Sequence, residues 1–286
     1  MTSTISLKWQ AIVAFASLLM PLSLWVFHSN GAVVDADSVV MFAAVFLGSV
    51  VVGATGFGSA AVGGAIMLFW FVPISAVPIL NAASLTTQTI SIGQLWRSLR
   101  LRGCIPLIVG GLFGIPTGAW VLEITDPNVF RIAFGVFLLI WCIYLLRRPK
   151  FRLRKGGPIT EGLVGMTGGF TGGAIAFPAA FPAIWCAVTR TTKEEQRGTM
   201  QIYILVMQYC VLGYLYSMGI IGRDFLPDYL KIFPAVIIGT FVGVYFYSRI
   251  DETMFRHMVL LILILGAVSH IIRGLAHFVA ASQGFL

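Results

Sequence analysis

The sequence predicts an all-α polytopic membrane protein built as an inverted repeat. Each copy is a re-entrant helical hairpin followed by three transmembrane helices, and an extra helix precedes them. Composition is the first reason: of 286 residues, 58% are hydrophobic and 10% charged, with a mean hydropathy of +0.92, against roughly 45–50% and about 25% in soluble domains. Loop charge is the second, because Lys and Arg gather in short segments between apolar runs. The third is a set of residues that recur at one fixed offset.

Taken in order, Lys8 and the run Trp9 to Phe27 read as a first transmembrane helix. The run ends at His28 without the small-residue cleavage site of a secretory signal. Six further runs are long enough to cross about 30 Å of hydrocarbon: Ile74 to Trp96, Cys104 to Leu122, Val129 to Leu146, Thr199 to Ser217, Leu230 to Ser248 and Phe255 to His277. Two others, Ser38 to Val72 and Pro158 to Val188, are too long for one helix and short for two. Each holds a glycine-rich stretch, GATGFGSAAVGG from Gly53 and GLVGMTGGFTGG from Gly162. Lipid offers no partner to backbone groups freed by a broken helix, so such breaks must sit against protein or water.

Loop charge orients these runs. Arg97, Arg100 and Arg102 mark one cytoplasmic loop, and the block Arg147, Arg148, Lys150, Arg152, Arg154 and Lys155 marks another. Glu123 to Pro127 between them is acidic and belongs outside. If Ser38 to Val72 opens outward and Pro158 to Val188 opens inward, 15 of the 19 Lys and Arg fall inside. The N-terminus is then cytoplasmic and the C-terminus external. The chain divides into an N-terminal helix with its outer loop (1–37), repeat 1 (38–146), a basic cytoplasmic linker (147–157) and repeat 2 (158–286).

The duplication has its own trace. Gly114, Gly118, Asp126, Phe130 and Arg131 reappear as Gly239, Gly243, Asp251, Phe255 and Arg256, all shifted by 125, and Asn81 and Gln88 match Gln201 and Gln208 at a shift of 120. A copy with three crossings must insert inverted. Inverted repeats whose broken helices meet near the midplane are an architecture of secondary transporters.

Candidate site residues follow from that architecture. The hairpin tips are expected at Thr55, Gly56, Phe57, Gly58 and Ser59 and at Thr167, Gly168, Gly169, Thr171 and Gly172, offering hydroxyls and bare backbone N–H groups at half-helix N-termini that favour anions. The same glycines, where spaced by four, also suit close helix packing. Asn81, Ser84 and Gln88 share one helix face, and Gln201 and Gln208 repeat its seven-residue spacing, which points to a polar cavity between related helices. Asp126 and Arg131 are expected to pair at a helix end, and His270 reads as a packing residue.

The net charge of +8 raises the question of nucleic acid, but the basic residues sit where they orient a membrane protein. Cys104, Cys142, Cys186 and Cys210 lie in apolar runs without metal-ligand spacing, so buried thiols are expected and no metal or cofactor. No Asp or Glu lies deep in a crossing, as a proton relay would need. Ser59 and His270 do not have the spacing of a catalytic pair, and no enzyme is expected.

The duplication, the TGFG and TGG motifs, the polar face from Asn81 to Gln88 and the basic central loop together resemble the TauE/SafE family, the sulfite exporter group. That resemblance covers roughly Ser38 to Arg273. It implies a bacterial inner-membrane transporter, expected to export a small anion such as sulfite, a sulfonate or a related sulfur-containing organic anion by alternating access. The expected partners are that anion, the lipid bilayer and a possible second copy in a homodimer, with any coupling ion open. The alternative is a channel with a glycine-rich pore loop, since Thr55 to Gly58 is close to the TVGYG of potassium filters.

Overall fold

Prolines and short polar caps set where the helices begin. The computed structural model describes residues 36–56, 58–95, 103–147, 156–189, 192–223, 225–247 and 252–283, which form ten helices and no strand. The run Trp9 to Phe27, Phe57, the basic linker at 148–155 and Asp251 lie outside the described residues. In order the helices are α1 (Ala36–Thr55), α2 (Ser59–Trp70), α3 (Pro73–Leu95), α4 (Ile105–Ile124), α5 (Pro127–Arg147), α6 (Pro158–Ile175), α7 (Ala180–Thr189), α8 (Lys193–Ser217), α9 (Phe225–Tyr247) and α10 (Glu252–Gln283). Helices α3, α5 and α6 each start on proline, whose missing N–H would have no intrahelical partner there. Thr192 caps α8 by accepting the Glu195 N–H at 3.1 Å.

Among the described residues, six helices are long and apolar enough to cross a membrane: Ala36–Thr55, Ile105–Ile124, Pro127–Arg147, Gly198–Ser217, Phe225–Tyr245 and His257–His277. The chain is a multi-pass membrane protein. Helix α3, expected as a crossing, has 23 residues; its polar face keeps it out of that apolar set, and most of its side chains from Ala76 to Gln88 are buried. The exposed surface carries large apolar side chains, as at Phe113 (70% exposed) and Ile159 (82% exposed).

The two glycine-rich runs fold back on themselves with unequal arms. Helix α1 has 20 residues and α2 has 12; α6 has 18 and α7 has 10. At 1.5 Å per residue the short arms reach about 15–18 Å, half the hydrocarbon. In the first hairpin a Cβ on Gly48 would stand 2.9 Å from the Ser59 carbonyl and one on Gly63 3.2 Å from that of Ala44, so the arms run antiparallel in close contact. The open end is closed by the Trp70 indole donating to Asp37 at 2.6 Å.

Glycine also sets the helix pairs. A Cβ on Gly114 would strike the Met166 carbonyl and one on Gly118 that of Phe170, while Gly165 and Gly169 abut the carbonyls of Leu107 and Gly111. Helices α4 and α6 therefore run parallel with backbones touching. Helices α1 and α9 make the same contact, Gly239 on Phe46 and Gly243 on Val50. Gly135 on α5 lies against Ala267 on α10, and Gly274 against Asn128 and Ile132, which makes that pair antiparallel. Substituting α6–α10 for α1–α5 in order carries α4·α6 onto α9·α1 and leaves α3·α8 and α5·α10 unchanged as pairs.

Asp126 and Arg131 do not pair as expected. The Asp126 carboxylate accepts the N–H groups of Asn128 (2.8 Å) and Val129 (3.3 Å), and these bonds hold its pKa below the usual value. Arg131 reaches back to α2 instead, donating to the carbonyls of Leu68 (3.0 Å) and Phe71 (3.3 Å) and to Asn128 (3.1 Å). A cation on the last carbonyls of a helix meets both their open acceptors and the negative end of its dipole. His270 is fully buried with its ring edge-on to Phe134 and Phe69, a packing role. The four cysteines are thiols, with Cys104, Cys142 and Cys186 buried.

Candidate functional site

Both hairpin turns come to one place. In the first, Gly56 (φ 88°) and Gly58 (φ 97°) take left-handed backbone that glycine adopts without penalty, and α2 starts immediately after at Ser59. In the second, α6 continues to Ile175 and the break comes at Ala176, Phe177, Pro178 and Ala179. Ala176 is left-handed at φ 56°, and Pro178 disfavours helical backbone at Phe177. The second tip is thus not where the glycines suggested. Thr167, Gly168, Gly169, Thr171 and Gly172 all lie inside α6, with Gly169 packed on Gly111 of α4 and Gly168 against Pro178 and Pro182 of its own hairpin. Close packing is the use that stretch serves.

Helices α3 and α8 cross between the turns, running antiparallel. The Gln88 amide donates to the Gly56 carbonyl at 2.8 Å. Gln201 donates to the Gln88 side-chain oxygen at 2.5 Å and to its carbonyl at 3.2 Å. Gln208 donates to the Ser84 hydroxyl at 2.5 Å. A cavity of about 10 Å³, lined by Gly58, Ser59, Ser84, Gln88, Ala176, Phe177, Pro178, Ala179, Ile204 and Gln208, sits where these elements meet. That is about the room of one water molecule.

Of the residues expected from sequence, Gly58, Ser59, Ser84, Gln88 and Gln208 line this cavity, and Gly56 and Gln201 bond to Gln88 behind it. Asn81 is fully buried on the same helix face, and neither of its amide atoms has a hydrogen-bond partner among the described residues. Thr55 ends α1 on an exposed face, its hydroxyl donating to Val51 at 2.8 Å. Thr167 is also exposed and bonds to Val164 of its own helix at 2.7 Å. The Thr171 hydroxyl lies 2.9 Å from the Phe177 carbonyl, where it ties down the second turn without reaching the cavity.

Sequence reasoning missed Ala176, Phe177, Pro178, Ala179 and Ile204. A signal for them was present. The shift of 120 that relates Gln88 to Gln208 also carries Gly56, Gly58, Ser59 and Ser84 onto Ala176, Pro178, Ala179 and Ile204. The lining is therefore paired, polar from the first half and mostly apolar from the second.

Charge at the site is supplied by backbone. Among the described residues lining the cavity none is ionisable. The N-terminus of α2 opens on the cavity at Ser59, and the Val62 N–H donates to the Gly58 carbonyl one turn back at 3.3 Å. The short helix α7 opens on it from the other side. Two helix N-termini converging on a water-poor space with amides and a hydroxyl make a positive, hydrogen-bonding pocket, complementary to a small anion.

The sulfite exporter TauE/SafE family model matches residues 41–270. The chain belongs to that family. Among curated proteins none matches it, and among solved structures none does. The match takes in α3, α8, most of the first hairpin, all of the second and every residue lining the cavity.

Proposed function

We propose that this family member is a secondary transporter that exports sulfite, a sulfonate or a related sulfur-containing organic anion across the bacterial inner membrane. The anion is held between the two hairpin turns, on the N-terminal N–H groups of α2, the Ser59 hydroxyl and the amides of Gln88 and Gln208. The Gln208 NH₂ gives one N–H to Ser84 and has a second to offer. The repeats 38–146 and 158–286 insert in opposite senses, with the N-terminus cytoplasmic. Support for the inversion comes from the antiparallel course of α3 against α8 and of α5 against α10, which the shifts of 120 and 125 relate. Alternating access then follows as the repeats exchange conformations about the fixed site.

The observation that carries this reading is the convergence of both broken helices and both glutamine faces on one cavity without an ionised residue. A site of that kind binds an anion without trapping it. Export gains about 2.3 kcal/mol per monovalent charge at 100 mV, inside negative, so the direction needs no coupling ion. The test is sulfite efflux from proteoliposomes under an imposed potential. Efflux should rise with inside-negative potential and fall in Gln88→Leu and Gln208→Leu; efflux at the wild-type rate in both variants rejects the cavity as the site.

A further inference from the structure

Under the shift of 120, Gln201 corresponds to Asn81 and Gln88 to Gln208. The contact in which the Gln201 NH₂ meets the Gln88 side-chain oxygen at 2.5 Å therefore has a counterpart, the Asn81 NH₂ on the Gln208 oxygen. That counterpart is not made. Asn81 Nδ2 and Gln208 Oε1 are both buried, and neither has a partner among the described residues. The two atoms that would form the second pair are thus both open, as is Asn81 Oδ1, while the first pair is closed and extended by Gln88 onto Gly56. Buried polar groups without partners are uncommon and costly, and a structure that leaves a matched donor and acceptor open has somewhere else to satisfy them.

We infer that the two amide pairs are alternately made: Gln88–Gln201 closes in this conformation, and Asn81–Gln208 closes in the conformation facing the opposite side of the membrane. In that second state Gln208 releases Ser84 and donates to the Ala176 carbonyl, as Gln88 does to Gly56 here, and Gln88 parts from Gln201. The inference rests on the alternating-access reading above. Asn81 is one methylene shorter than Gln201, so its pair closes only when α3 and α8 approach more nearly at that end. Each state keeps one pair and opens the other, which holds the two states close in free energy, as a cycling transporter needs.

The experiment places a cysteine at Ser59 and labels it with a membrane-impermeant maleimide added to right-side-out or to inside-out vesicles, counting label above a parent with serine there. Gln201→Leu removes the closed pair and should move the ratio of labelling from the two sides by roughly three- to ten-fold, the range of one or two hydrogen bonds. Asn81→Leu should move it in the opposite direction. Gln201→Asn, which shortens the arm and keeps the amide, should shift it as Gln201→Leu does and supplies the result if the leucine variant fails to fold. Shifts of the same sign for residues 81 and 201, or none in folded protein, overturn the switch. Sulfite flux by the wild-type chain, with Ser59 in place, separates the two ideas. Opposite shifts with no sulfite flux by the wild-type chain leave the switch standing and reject the anion, whereas sulfite flux without shifts does the reverse.

Discussion

Gly56 and Ala176, 120 residues apart, both turn the chain out of a long helix in left-handed backbone, at φ 88° and 56°. One position uses a residue suited to that conformation and the other does not, because a Cβ in the left-handed region crowds the following carbonyl. Ala176→Gly should therefore raise the thermal midpoint in detergent, by the equivalent of about 0.5–1 kcal/mol once the added freedom of the unfolded chain is offset. Gly56→Ala should lower it. Thermal unfolding of the two variants side by side checks the pair.

The glycine seam between α4 and α6 gives a second prediction. A methyl group on Gly114 would overlap the Met166 carbonyl, and one on Gly169 the Gly111 carbonyl. Neither backbone can retreat without moving a whole helix. Gly114→Ala and Gly169→Ala should each cost about 2 kcal/mol or more, read as a lower midpoint and poorer recovery of monodisperse protein. Gly213 in α8 has nothing within 4 Å of an added Cβ, and Gly213→Ala should be neutral or slightly stabilising.

Arg131 supplies a third. It is 7% exposed and donates to the two carbonyls that end α2 and to Asn128, so it anchors the far end of the helix whose N-terminus opens on the cavity. Arg131→Met leaves buried acceptors unpaired and should cost about 3 kcal/mol. Arg131→Lys retains the charge but not the fork, and should keep the fold better while slowing sulfite flux. Melting and flux measured on both variants distinguish an anchor from a simple source of positive charge.

How much of this could be read from the chain depends on what each residue type is able to signal. Two of the five pairs behind the offset of 125 are glycines, and Gly114, Gly118, Gly239 and Gly243 prove to be points where helix backbones touch; a residue without a side chain at helical spacing has few other uses in a membrane. The polar face of α3 was legible because Asn81, Ser84 and Gln88 are costly in lipid and so announce burial. The second tip was not legible by composition. Glycine serves both turns and packing seams, and the glycine-rich stretch from Gly162 drew the expected tip into a helix, while the true break, Ala176 to Ala179, contains none. Nor could the Arg131 anchor be foreseen, since its partners are backbone carbonyls about 60 residues earlier and backbone leaves no mark in a sequence.

The last prediction sets two hydroxyls expected at the tips against each other. Ser59 is 6% exposed, begins α2 and lines the cavity. Thr167 is exposed, and its hydroxyl is already bonded to Val164 one turn back. Ser59→Leu should fill a space no larger than a water molecule and remove a hydroxyl from it, and sulfite flux should fall by about ten-fold or more, the loss expected for some 1.4 kcal/mol of binding. Thr167→Val changes only a lipid-side hydroxyl with an internal partner, and flux should stay within about two-fold of wild type, because an exposed substitution of this kind is worth less than 0.5 kcal/mol. Equal effects at the two positions would mean that the anion passes along the outer face of α6 and not between the turns.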